Sequence, residues 1–91
     1  MFWIVSYDIP NDRRRRKVSK VLEGFGRRVQ YSVFECELNA EKAEKLEKQL
    51  SLHIDRDEDD IRLYPLDRQT LSFVRLLGRA QLQRERSYYM I

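Results

Sequence analysis

The chain has 91 residues, 42% hydrophobic and 36% charged, with a formal net charge of +3. That size allows one domain with one modest core, and that balance argues against a disordered or membrane chain. Its only cysteine, Cys36, excludes an internal disulfide and points to a reducing, cytoplasmic setting. The apolar run Met1–Val5 is too short to cross a bilayer and has no basic leader, so no signal peptide is read.

Charge is unevenly spread. Residues 12–28 carry eight cations against Asp12 and Glu23, a local sum of +6. Residues 55–60 sum to −4, and residues 68–86 hold five arginines against Glu85. A basic cluster on a balanced chain suits a phosphate backbone, although charge runs are more often solvated helix faces. Five consecutive cations, Arg13, Arg14, Arg15, Arg16 and Lys17, repel one another unless an anion relieves them.

In chain order, Phe2 to Tyr7 is β-branched and aromatic without alternation, which predicts a strand buried on both faces. Pro10 breaks it, and Asn11 with Asp12 opens a helix of about residues 12–24. Val18, Val21, Leu22 and Phe25 form its apolar face. Residues 27–38 are extended, with Ser32, Phe34, Cys36 and Leu38 on one face. They read either as one bent strand or as a hairpin breaking near Tyr31 and Ser32. Asn39 caps a second helix of about residues 40–53, with Ala43, Leu46 and Leu50 as its stripe. Residues 55–60 read as an acidic loop and Ile61–Leu66 as a strand. Leu71–Leu77 reads as a further strand stopped by Gly78, residues 79–86 as a connector, and Tyr88–Ile91 as a short apolar end. The order strand, helix, strand or hairpin, helix, strand predicts a split βαβ pattern, an α+β ferredoxin-like βαββαβ fold. The division is a domain at 1–78 and a C-terminal segment at 79–91.

The catalytic inventory is short. One histidine, His53, and one cysteine supply neither a nucleophile–base pair nor a zinc site, and the three glycines fit no phosphate loop. Asp8 stands apart, because it ends the most apolar strand and opens the loop into the arginine-rich helix. A carboxylate held there suits Mg²⁺, which binds through one or two carboxylates, waters and phosphates. From spacing alone, a turn cap or an arginine partner is the readier account of Asp8.

Tyr7-Asp8-Ile9, followed by Asn11-Asp12-Arg13-Arg14-Arg15, resembles the Cas-two family of CRISPR-associated, metal-dependent nucleases. The likeness continues through Val29 to Cys36 and, more weakly, through Ile61 to Leu66. It implies a ferredoxin-like fold and a symmetric homodimer in which two copies of Asp8 share a divalent ion. It further implies Mg²⁺-dependent endonuclease activity on RNA or DNA, and a scaffold role in spacer acquisition with the Cas-one integrase. Asp8 would be the catalytic metal ligand, while Arg15, Arg28 and Phe34 match positions tied to substrate handling. Nucleic acid would lie on Arg13, Arg14, Arg15, Arg16, Lys17, Arg27 and Arg28. Relatives add a C-terminal strand to the partner, a part that Tyr88–Ile91 would play here. A non-catalytic scaffold, a toxin-type ribonuclease and a small-molecule-binding or RNA-recognition module of the same fold are the rival readings.

Overall fold

A computed structural model describes residues 1–82. Among them the order is β1 (Phe2–Asp8), α1 (Asp12–Glu23), β2 (Arg27–Gln30), β3 (Val33–Glu37), α2 (Ala40–Ser51), β4 (Asp60–Leu66) and α3 (Arg68–Leu71). Each helix starts at a side-chain cap that satisfies an otherwise orphaned N–H. Asn11 Oδ1 accepts from the Arg14 N–H at 2.9 Å, and Asn39 Oδ1 accepts from the Lys42 N–H at 2.8 Å. Asp67 Oδ1 accepts from the Thr70 N–H at 2.7 Å.

The strands form one sheet in the order β2-β3-β1-β4, with every neighbouring pair antiparallel. Placing β1 between β3 and β4 is the ferredoxin-like α+β arrangement that the element order predicts. Side chains alternate across the pleat, so Trp3, Val5 and Tyr7 share the face that packs against α1 and α2. There Val5, Val18, Leu22, Phe34 and Leu46 are fully buried, with Cys36 beside them. Truncating one such leucine to alanine costs about 3 kcal/mol, because the cavity left behind collapses only partly. The opposite, outer face is covered less completely: Phe2 is buried but Ile4 and Ser6 are only half-buried.

The extended stretch after α1 is a hairpin turning at Tyr31 and Ser32. Arg28 pairs with Phe34 and Gln30 with Val33, so β2 carries an irregularity between Arg28 and Gln30. That bulge accommodates the reversal, and it explains why no Gly or Asn marks the turn. Just before β2, a Cβ on Gly26 would meet the Glu35 carbonyl oxygen and Cys36 Sγ well inside van der Waals contact. β2 therefore enters the sheet by a close approach that only glycine permits.

The sequence expectation of a strand over Leu71–Leu77 is not met. Asp67 caps one helical turn that buries Leu71, and the chain then runs on without sheet pairing. The Asp67 cap directs the backbone into αR geometry, and the apolar composition of the segment does not override it. The expected added strand at Tyr88–Ile91, and most of the 79–91 segment, lie outside the described residues.

Candidate metal and nucleic-acid site

Asp8 is the last residue of β1 and lies opposite Asp60 of β4 in register. Pleat alternation puts both on the outer face, in line with Phe2, Ile4 and Ser6. The Asp8 carboxylate is exposed and makes no hydrogen bond or ion pair among the described residues. It neither caps the turn, a role taken by Asn11, nor pairs with an arginine. Asp60 differs: Arg62 holds it through Nε to Oδ1 at 2.9 Å and Nη2 to Oδ2 at 3.1 Å. This bidentate contact keeps the Asp60 carboxyl below its ordinary range. The described residues contain no group of three or more His, Cys, Asp or Glu side chains able to hold a metal ion. At this strand end one chain thus offers a hard cation the single free carboxylate of Asp8, which suits an ion whose other ligands are waters and phosphates.

The arginine run separates around α1, since successive residues point about 100° apart. Arg14 turns toward the α2–β4 loop. Its Nε donates to Asp59 Oδ2 at 2.7 Å, and its Nη2 reaches Asp59 Oδ1 at 3.1 Å and Glu58 Oε1 at 2.9 Å. The Asp59 side chain is fully buried and also accepts the Asp55 N–H at 2.8 Å. Arg14 holds the Asp59 carboxyl below the usual range, and Asp59 in turn raises Arg14. Arg15 folds back instead: Nη1 donates to the Ile9 carbonyl at 2.8 Å and Nη2 pairs with Asp12. Arg15 thereby braces the residue that follows Asp8. Arg13, Arg16, Lys17 and Arg27 are exposed and form no ion pair among the described residues.

On β2, Arg28 lies over the Phe34 ring at 4.9 Å from its centroid. It also donates to Ser19 Oγ and to the Tyr31 carbonyl, and weakly to Tyr7 Oη at 3.4 Å. Phe34 is itself fully buried, so any part it plays at the site passes through that guanidinium. Arg15, Arg16, Lys20, Arg28, Tyr7 and Tyr31 line one open cavity of about 350 Å³ between α1 and the β2–β3 turn. The structure thus gathers Arg15, Arg16 and Arg28, and sends Arg14 elsewhere. Tyr31 and Asp59 escape a reading of the sequence. Asp59 sits inside an acidic run that looks solvated, and the only trace of Lys20 is its four-residue spacing from Arg16 on one helix face.

Other reactive groups are unsuited to catalysis. Burial, helped by Glu35, pushes the Cys36 thiol up to about 11, so it stays protonated and inert. Among the described residues no helix is long and apolar enough to cross a membrane.

Comparison with known proteins places these features. The family described as CRISPR associated protein Cas2 matches residues 1–74. The chain is 48% identical over 80 residues to a CRISPR-associated endoribonuclease Cas2 of a Synechocystis species, covering 88% of this chain and 87% of that one. A crystal structure of a hypothetical protein from Thermus thermophilus superimposes with a TM-score of 0.80 at 37% identity, covering 91% of this chain and 96% of the other. A chain of a partial Cas6-RT-Cas1–Cas2 complex superimposes with a TM-score of 0.74 at 31% identity, covering 89% and 98%. With the matched region running from the β1 strand through Asp8, the arginine helix and the hairpin to α3, this chain belongs to the CRISPR-associated Cas2 family.

Proposed function

We propose that this protein is a cytoplasmic, homodimeric, Mg²⁺-dependent endonuclease that hydrolyses phosphodiester bonds in RNA or DNA and serves CRISPR spacer acquisition alongside Cas1. The observation that carries the reading is the free, exposed carboxylate of Asp8 at a strand end, in a chain whose Arg13, Arg16, Lys17 and Arg27 are exposed and form no ion pair among the described residues. A relative named an endoribonuclease supports the reaction class.

The outer face supplies a reason for two copies. Tyr64 is 47% exposed there, next to half-buried Ile4 and Leu66, and Leu77, which shares a cavity with Glu35 of β3, is 88% exposed. Apolar surface of this kind favours a covering partner, and a two-fold axis through that face would bring two Asp8 carboxylates together. When bound, Mg²⁺ would polarise the phosphate and lower the pKa of its water. Asp8 would hold that ion, and Arg15, through the Ile9 carbonyl, fixes the loop that presents it. Arg13, Arg16, Lys17 and Arg27 would neutralise flanking phosphates. Arg14, engaged with Asp59, would contribute by anchoring α1 rather than by touching the strand.

A scaffold without hydrolysis is the second reading, favoured by the likeness to a chain from an assembly that contains Cas1. The two separate in one paired assay. RNA and duplex DNA are incubated with wild type and Asp8→Asn, with Mg²⁺ or with chelator, and light scattering is run on the same preparations. Cleavage that requires Mg²⁺ and Asp8, from a particle of twice the 11.1 kDa chain mass, supports the enzyme. Absence of cleavage by the wild-type dimer on either substrate supports the scaffold. Full activity of Asp8→Asn ends the metal-ligand role.

A further inference from the structure

Hydrolysis at Asp8 does not account for the cavity between α1 and the β2–β3 turn. Its roughly 350 Å³ lies at the lower end of small-molecule sites, room for one nucleotide and far too little for a duplex. Arg16 and Lys20 stand one helical turn apart on one wall, both exposed and without an ion pair among the described residues. The floor is preorganised, because Arg28 is held by the Phe34 ring, Ser19 and the Tyr31 carbonyl. At the rim, Tyr31 is 75% exposed. An aromatic ring left open beside three guanidinium or ammonium groups is the arrangement by which proteins hold an unpaired base.

We propose that this cavity is a single-nucleotide site, taking one nucleotide of a single strand with its base stacked on Tyr31 and its phosphate between Arg16 and Lys20. The inference rests on the reading that the chain binds nucleic acid, and it names which form enters this site. Two details fix the orientation. Glu23, at the far end of the same wall, repels a phosphate and so directs it toward Arg16 and Lys20. Arg15, braced on the Ile9 carbonyl, lines the cavity together with Tyr31 and sets a further fixed cation on that side. A duplex, whose bases are already stacked on each other, has nothing to offer Tyr31.

The test is fluorescence anisotropy on the full chain with labelled single-stranded RNA and single-stranded DNA of about ten nucleotides, and with a duplex. Wild type, Tyr31→Phe and Tyr31→Ala are compared after melting curves establish that each is folded. Tyr31→Ala is expected to weaken single-strand binding about tenfold, and Tyr31→Phe to keep it, since the ring does the stacking. Arg16→Ala and Lys20→Ala should each lower the single-strand salt slope by about 0.7. A loss restricted to RNA or to DNA supports the site and assigns the strand. Equal single-strand affinity for wild type and Tyr31→Ala overturns the site while leaving duplex binding standing, and so does an equal loss in Tyr31→Phe. Failure of the wild type to bind any of the three ligands would overturn the nucleic-acid reading itself.

Discussion

Asp59 and Asp8 belong to adjoining strand ends, since Asp8 pairs in register with Asp60, yet their surroundings are opposite. The Asp59 side chain is buried, grips Arg14 through two oxygens and receives the Asp55 N–H. Asp8 is exposed and receives nothing among the described residues. A buried carboxylate with both oxygens hydrogen-bonded to the protein holds structure and is closed to a ligand from solvent. A carboxylate fixed by its backbone and left unanswered is available for one. The contrast separates these two carboxylates into one that anchors α1 to the α2–β4 loop and one that faces outward.

The strongest way to break that contrast is to exchange charge for shape at Asp8. Asp8→Asn is expected to cut Mg²⁺-dependent cleavage about a hundredfold or more while leaving the melting temperature unchanged or slightly raised, since Asp60 lies across the strand. Parallel nuclease rates and melting curves check it. A fall in stability without a fall in rate would make Asp8 structural. Asp59→Ala should do the reverse, lowering the melting temperature by roughly 10 °C, because Arg14 loses its main partner. Calorimetry on the variant decides that point.

The arginines sharpen the same division. Arg16→Ala should reduce the slope of log affinity for duplex DNA against log salt by about 0.9, the loss of one phosphate contact. Arg14→Ala should leave that slope alone and lower the melting temperature instead. A smaller effect is expected from acid. The Asp59 carboxyl lies below its ordinary 3.8 in the folded protein, so its contribution is present near neutral pH. The stability gap between wild type and Asp59→Ala should narrow as pH falls below 3.8 toward the folded value, as followed by melting curves across that range. Slightest of all, Cys36 should resist alkylation near neutral pH until the protein is unfolded, which mass spectrometry of iodoacetamide-treated samples reads directly.

Much of this was legible in the residues. Helical spacing of Val18 and Leu22, caps at Asn11 and Asn39, and alternation through Phe34 and Cys36 all have local causes, and the structure places them as the sequence implies. Asp8 was legible as a strand-end carboxylate, but its freedom was not, because capping by Asn11 and pairing by Arg14 compete with it only in three dimensions. The arginine run hid its internal differences for the same reason. Side chains of identical chemistry point around α1 in different directions, and only one of them meets a buried acid. Leu71–Leu77 misled because apolar composition describes what a segment could pack, whereas Asp67 decides how its backbone begins. The bulge in β2 left no mark at all, since Gln30 and Tyr31 resemble no turn signature.

The close approach at Gly26 has one more effect, on which substitutions and insertions the hairpin tolerates. With no room for a Cβ against Glu35 and Cys36, the entry of β2 is pinned, and the strand cannot slide to accommodate change further along. A slip by one residue would exchange the two faces of β2. Arg28 would then leave Phe34 for the outer face, and Arg27 would take its place beneath α1. Gly26 thus acts as a ruler: a residue with no side chain of its own determines which of two adjacent arginines stands at the cavity.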